Sequence, residues 1–396
     1  MENRCFIMFG LQPWDIEIGS NFKNMAMEIC RTNKVLYVNR PLDRINYLKN
    51  RNDKKVRARL ESIKQNKNRL TEVEKDLWVL NPGIILESIN LLPKGFLYNY
   101  LNKRNSRKIA SEILASARQL NFTEVILIVD NDFFNGLYLK EFIKPNVFIY
   151  YVRDYLLSQD YFKKHGERAE PLIMQKADAV VANSAYLSEY ANEYNKSTDI
   201  GQGCDVETFL DNNQHLPGDM AHLQSPKIGY CGALTSARLD INLLEFLAKE
   251  KPRWNIILVG PQDAVFKSSS LHDMKNVFFL GPKKPVELPA YVHNFDVCIN
   301  PQVLNQMTIG NYPRKIDEYL AAGKPVVATD TKAMRFFSDF VYLCDTPESY
   351  VKNIGLALSE KPDNEIENKR IGFAKSHTWP ASVNMLYDVI TNLKKE

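Results

Sequence analysis

Short apolar runs alternate with stretches of helical periodicity from the first residues onward. Candidate strands cover residues 5–9, 35–38, 77–80, 125–129, 147–151 and 179–182, and helical stretches such as 22–30, 107–120 and 171–176 fall between them. Strand–helix alternation with apolar, β-branched strands predicts a parallel sheet with helices on both faces. Residues 211–225 (DNNQHLPGDMAHLQS) are polar, hold Pro and Gly, show no clear period and read as a linker. The alternation then restarts, with strands at 227–231, 255–259, 277–280, 297–300, 326–329 and 341–344 and helices such as 242–250 and 313–322.

The expected fold class is therefore α/β, with two units in succession: 1–205, then 206–377. A last helix at roughly 380–393, within the segment 378–396, is expected to pack back on the first unit. A chain of 396 residues is long enough for each unit to bury its own core.

Composition narrows the class. The chain is 45% hydrophobic and 25% charged, as in soluble globular proteins. Its formal net charge of +4 gives no argument for a nucleic-acid partner. Cys5, Cys30, Cys204, Cys231, Cys298 and Cys344 are dispersed, without a CxxC pair or a Cys/His cluster, so no metal site is expected. They read as buried small hydrophobes in a reducing compartment. The start, MENRCFIMFG, lacks the apolar core and cleavage site of a signal peptide. The nearest approach to a membrane span, 77–101, is interrupted by Pro82, Glu87, Pro93 and Lys94.

The most informative segment is 312–327, YPRKIDEYLAAGKPVV. Pro313 suits a first helical position. Ile316, Tyr319 and Leu320 share the spacing of a buried face. Gly323 suits a left-handed helix end, and Pro325 opens the next strand. Lys315 sits in the first turn, where backbone amides and the helix dipole favour an anion such as a pyrophosphate; amides near Asn311 and Tyr312 would join it. Glu318, one turn on, can accept two hydrogen bonds from a ribose diol. The same spacing also fits a solvated Lys–Glu pair.

The stretch PRKIDEYLAAGKPVVATD resembles the donor-site motif P-x-K-x-x-E-Y-L-A-x-G-x-P-V-V of GT-B glycosyltransferases of the family 4-like group, especially those that build cell-surface polysaccharides such as teichuronic acid. Segments 228–234 (IGYCGAL), 254–261 (WNIILVGP), 276–282 (NVFFLGP) and 288–301 (LPAYVHNFDVCINP) resemble the preceding parts of that donor domain, in order. In the first unit, 176–187 (KADAVVANSAYL) and 200–209 (IGQGCDVETF) resemble family segments more loosely. The resemblance implies two Rossmann-like domains with parallel sheets facing a central cleft. It implies a metal-independent, cytoplasmic enzyme without cofactor. The donor would be a nucleoside-diphosphate sugar, with UDP foremost, and the acceptor a hydroxyl of a glycan or lipid-linked glycan. One departure stands out: many relatives carry a second glutamate eight residues before Glu318, where this chain has Gly310.

Candidate donor-binding residues are Gly232, Arg238, Lys283, Thr308, Asn311, Tyr312, Lys315 and Glu318. Gly232 would allow a tight turn at the phosphates or be a plain loop glycine. Arg238 would reach the diphosphate from the following helix or lie on the surface. Lys283 belongs to a loop whose backbone would read the base. Thr308, Asn311 and Lys315 are candidates for the work of the missing glutamate. Catalytic candidates are Lys315, which would stabilise the departing diphosphate, and Asp154, at the carboxyl end of a strand, which would be the base of an inverting enzyme. Asp130 and Asp132 compete for that role, and Asp154 fits equally an ion pair with Arg153 or a loop cap. Gly10 and Trp14, in the first strand–helix loop, would meet the acceptor.

Residues 44–69 hold ten Lys/Arg against two acids; the apolar stretch 84–101 follows, then Lys103, Arg104, Arg107 and Lys108. This pattern suits peripheral contact with an anionic membrane, or a solvated helical insertion. Two rival functions stay open: a nucleotide-sugar epimerase, and a weakly active or inactive nucleotide-sugar-binding relative.

Overall fold

The computed structural model describes residues 1–393 apart from 16–19, 50–56, 58–59, 61–68, 213, 311 and 361–363. The chain forms two compact units: Met1–Gly201 with Ser382–Glu396, and Gln202–Ala381.

The first unit is built on an 8-stranded sheet in the order β10-β9-β8-β7-β1-β2-β5-β4. Its strands are β1 Cys5–Gly10, β2 Lys34–Val38, β4 Leu70–Glu74, β5 Leu77–Leu80, β7 Val125–Asp130, β8 Val147–Val152, β9 Ala179–Ala182 and β10 Ser197–Asp199; β3 Leu42–Asp43 and β6 Ile85–Leu86 pair separately. Neighbouring strands of the large sheet are parallel except the edge pair β4–β5. The inner strands are buried throughout, so their apolar runs do not alternate.

Two helices of this unit begin well before their apolar pattern does. Phe96–Gln119 buries Tyr98, Asn102, Asn105 and Ser106 in its early turns. Asp160–Lys176 buries His165, Gly166 and Glu170 and carries Pro171 inside. Gly166 is needed for that contact, since a Cβ would lie 2.6 Å from Leu157 Cδ2.

The second unit holds a 6-stranded sheet in the order β13-β12-β11-β14-β15-β16, all parallel. Its strands are β11 Lys227–Cys231, β12 Asn255–Val259, β13 Val277–Gly281, β14 Val297–Asn300, β15 Val326–Thr329 and β16 Val341–Cys344. Separate apolar clusters lie on its two faces.

The 211–225 segment is not a free linker. Met220 and Leu223 are buried in the second unit's core, and Asp219 bonds Lys283 and Tyr291. The division between units falls at Gly201/Gln202 and again at Ala381/Ser382. The helix Trp379–Leu393 starts in the second unit and ends in the first, where Tyr387 Oη accepts from Asn33 Nδ2 at 2.8 Å. All six cysteines are buried and unpaired. Among the described residues no helix is long and apolar enough to cross a membrane.

Candidate functional site

In the second unit the chain winds outward from β11 to β13, then returns to build β14 to β16 on the other side. The carboxyl ends of β11 and β14 thus flank the point where strand order reverses, the place where open α/β sheets bind ligands. The residues there have unusual constraints. Gly232 follows β11 with φ +147°, and a Cβ on it would lie 2.9 Å from Tyr230 Oη and 3.2 Å from Lys315 Nζ. Gly260, ending the β12 turn, has φ +152°, and its Cβ would sit 1.9 Å from the Gly232 carbonyl oxygen. Two glycine loops pack backbone against backbone, which no other residue permits.

Lys315 is aimed at this turn. Its ammonium donates to Tyr230 Oη at 2.8 Å and lies 4.6 Å from that ring's centroid; Tyr230 Oη in turn donates to the Ala233 carbonyl at 3.4 Å. Tyr319, on the same helix, secures the strand end. Its hydroxyl accepts from the Cys231 amide at 2.8 Å, where β11 has parted from β14 and the ladder supplies no acceptor. The helix spans Lys315–Ala321, so Pro313 and Arg314 precede it; its expected start at Pro313 is two residues early. Its far end is as expected: Gly323 has φ +70°, Gly323 N–H bonds Leu320 O at 2.9 Å, and Lys324 N–H bonds Tyr319 O at 3.0 Å, a Schellman end.

Lys315 and Glu318 do not pair with each other. Glu318 faces Arg314 at 3.5 Å. Burial pushes the Glu318 carboxyl up, against the pull of Arg314 and Lys315. Three further polar atoms near the strand ends, Thr235 Oγ1, Asn300 Oδ1 and Gln302 Oε1, are buried without a hydrogen-bond partner among the described residues. Buried polar atoms in folded proteins are nearly always paired, so unpaired ones grouped by the topology mark a place for a ligand or water.

Residues 225–359 match the family model described as Glycosyl transferases group 1. The matched stretch lies within the second unit. The putative teichuronic acid biosynthesis glycosyltransferase TuaH of Bacillus subtilis (strain 168) is 28% identical over 242 residues, 57% of this chain and 60% of TuaH. The match thus spans less than two thirds of that relative's length. Among solved structures, Anabaena HepE in complex with UDP is 14% identical, with TM-score 0.65 over 98% of this chain and 100% of that one. Sucrose-phosphate synthase from Thermosynechococcus elongatus is also 14% identical, with TM-score 0.67 over 99% and 100%. The fold is GT-B, with two Rossmann-like units.

The side chains of the other expected donor residues of the second unit have partners of their own. Lys283 turns to Asp219 at 2.7 Å and to the Tyr291 ring, so its side chain holds the 211–225 segment in place. Arg238 is exposed and lies in the turn before the helix Ile241–Glu250, not on it; Asp240 caps that helix. Thr308 is buried, with its hydroxyl turned back to the carbonyls of Val303 and Asn305 and accepting from the Asn305 amide, so it is occupied within its own loop. Tyr312 Oη donates to Asp317 at 2.9 Å, which leaves its backbone amide to the role expected of it. Asn311 lies outside the described residues.

Asp317 escaped the sequence reading. It is fully buried and also bonds His377 Nδ1 at 2.9 Å, which ties the Lys315 helix to the end of the unit. Burial pushes its carboxyl up, opposed by His377 and Tyr312. An acidic residue on the inner face of an otherwise apolar helix was the available signal.

In the first unit strand order reverses between β1 and β7. Gly10 there is paired in register with Asp130, and a Cβ on Gly10 would lie 2.8 Å from Asp130 Cβ. Asp130 is buried and gripped by Arg153 through Nε at 3.1 Å and Nη2 at 3.3 Å. Burial raises its carboxyl, and Arg153 opposes this. Asp132 is buried too, bonded to Asn135. Asp154 meets Arg153 at 3.2 Å but keeps 33% of its side chain exposed, so of the three acids it alone is open to a substrate. Trp14 donates its backbone N–H to Asn39 at 2.7 Å and lays its ring edge-on to Tyr37. Among the described residues no three His, Cys, Asp or Glu side chains are grouped to hold a metal.

Proposed function

We propose that this chain transfers a sugar from a nucleoside-diphosphate sugar, UDP-linked foremost, to a hydroxyl of a glycan or lipid-linked glycan in cell-surface polysaccharide synthesis. The observation that carries the reading is the Gly232–Lys315 arrangement at the reversal point of a group 1 glycosyl transferase domain. A glycine-lined turn lets phosphate oxygens approach the backbone, and an ammonium held beside it supplies the counter-charge that a departing diphosphate needs. Displacing Tyr230 Oη from Lys315 would free that charge for the donor. Glu318 is the group for the ribose diol. The solved HepE complex with UDP and the name of TuaH support the donor and pathway class.

Asp154 is placed to take the acceptor proton in an inverting transfer; a retaining transfer needs no such base. Gly10 and Trp14 border the acceptor region in this reading. The enzyme works without a resident metal or cofactor, on the cytoplasmic side, where nucleotide sugars are made. The test is release of UDP from UDP-sugars that depends on added acceptor. Raised melting temperature with a UDP-sugar but no acceptor-dependent UDP release would instead support a binding relative that has lost turnover, the reading that Gly310 favours.

A further inference from the structure

The segment 91–100 leaves four large apolar side chains in solvent: Leu91 at 75% exposure, Phe96 at 84%, Leu97 at 54% and Tyr100 at 57%. They are not loosely held. Between them Tyr98 is buried and stacks on His165 at 3.9 Å between ring centroids. His165 Nε2 contacts the Leu92 carbonyl at 3.1 Å, and Lys164 Nζ donates to the carbonyls of Asn90 and Leu91. The fold thus spends polar contacts on holding an apolar protrusion outward. Grouped exposed apolar residues of this size mark a surface meant to be covered.

The charge around the protrusion says by what. Between Glu87 and Glu112, residues 88–111 hold five basic residues, Lys94, Lys103, Arg104, Arg107 and Lys108, and no acid. Lys94 and Lys103 meet Glu167 and Glu141, while Arg104 is exposed on the same helix as Phe96 and Tyr100. Apolar tips ringed by cations match the two layers of an anionic bilayer surface, acyl chains beneath phosphates.

We infer that residues 91–100 are a membrane-insertion element that docks the first unit on an anionic lipid bilayer. A cavity of about 240 Å³ adjoins it, lined by Leu91 and Tyr161, with Arg40 and Lys49 balanced by Asp43 and Glu87. The docking rests on exposure and charge alone and stands apart from the transferase reading.

Sedimentation with vesicles tests it, using phosphatidylcholine alone and phosphatidylcholine mixed with phosphatidylglycerol. The full chain should bind the anionic vesicles, more weakly at high salt, and not the neutral ones. The double variant Phe96→Ser/Leu97→Ser should bind about tenfold or more weakly, because the buried apolar area is lost. Arg104→Glu should lose binding by about tenfold or more, since each basic residue near the surface is worth roughly fivefold. Both alter exposed side chains, and an unchanged denaturation midpoint confirms folding. No binding of the unaltered chain to anionic vesicles overturns the inference, as does equal binding by both variants. So does a wild-type dimer, seen by light scattering, that the double variant dissolves. UDP release with a soluble acceptor, measured on the same variants, separates the two readings. Its absence with vesicle binding intact defeats the transferase alone, and its presence without vesicle binding defeats the docking alone.

Discussion

The Tyr319 hydroxyl offers a sharp test of how the glycine turn is held. It accepts the Cys231 amide at 2.8 Å in a fully buried place where the sheet supplies no partner. Tyr319→Phe keeps the ring and its packing, creates no cavity, leaves the buried Cys231 N–H unpaired and removes a longer donation, at 3.4 Å, to the Cys231 carbonyl. That loss costs about 1–3 kcal/mol. In a unit of this size, 1 kcal/mol lowers the melting temperature by about 2–4 °C, so a fall of roughly 2–12 °C is expected. Trp254 and Trp379 are buried in the second unit, while Trp14 and Trp78 belong to the first. Urea unfolding followed by fluorescence in a Trp14→Phe/Trp78→Phe background therefore reports the second unit separately. The slope against urea should be unchanged and the midpoint lower. Donor affinity, titrated in the same background, should fall as well, because the residue released is next to Gly232. A midpoint shift equivalent to less than about 0.5 kcal/mol would refute the claim that this hydroxyl replaces a ladder partner.

Other outcomes follow from the same geometry. Lys315→Met should weaken UDP-sugar binding about 10- to 100-fold, the worth of a charge-assisted hydrogen bond to phosphate, and calorimetry showing less than twofold change would remove Lys315 from the site. Glu318→Ala with full donor affinity would sink the ribose assignment. Gly260→Ala should destabilise the second unit by about 2–4 kcal/mol, through the collision with the Gly232 carbonyl and the strained φ, and a normal urea midpoint would contradict it. Glu170, buried against the hydroxyls of Tyr150 and Tyr190, has its carboxyl pushed by burial up to about 7 from an ordinary 4.5. The folded state holds this proton more tightly than the unfolded one. Its contribution to stability is thus complete below about pH 4.5 and is lost as pH rises through 7, by an amount on the order of 3 kcal/mol. Glu170→Gln should flatten that part of the first unit's stability profile; an unchanged slope between pH 5 and 7 would count against it.

Much of the fold was legible because buried parallel strands are written as apolar runs. The strands at 227–231, 255–259, 297–300, 326–329 and 341–344 have the ends that the residues suggest. Elements whose inner faces are polar were harder. The early turns of Phe96–Gln119 bury Asn102, Asn105 and Ser106, and Asp160–Lys176 buries Glu170 and His165, so no apolar stripe announces them. The edge strand Leu70–Glu74 is mostly exposed and charged. Of the donor candidates, the structure brings Gly232 and Lys315 together, while Lys283, Thr308 and Tyr312 are engaged with neighbours within their own unit. The side-chain partners of these residues, such as Asp219 and Asp317, were not legible because they are distant in sequence or turned inward, while the backbone roles expected of the Lys283 loop and of Tyr312 do not depend on them. Most of the basic segment 44–69 lies outside the described residues, so its role as a membrane contact stays with the sequence.

The helix Trp379–Leu393 has a consequence for synthesis on the ribosome. From Ser382 onward it belongs to the first unit, so that unit is discontinuous and the second is inserted within it. Nascent chains usually complete their leading domain first. Here Gln202–Ala381 can finish folding while Met1–Gly201 still lacks Tyr387, which seals Asn33 and packs on Phe6. The second unit should thus mature before the first, which waits for the residues from Ser382 onward. A chain cut after Ala381 and tethered to the ribosome by a flexible linker long enough to clear the exit tunnel should display protease-resistant second units beside first units that are still cut.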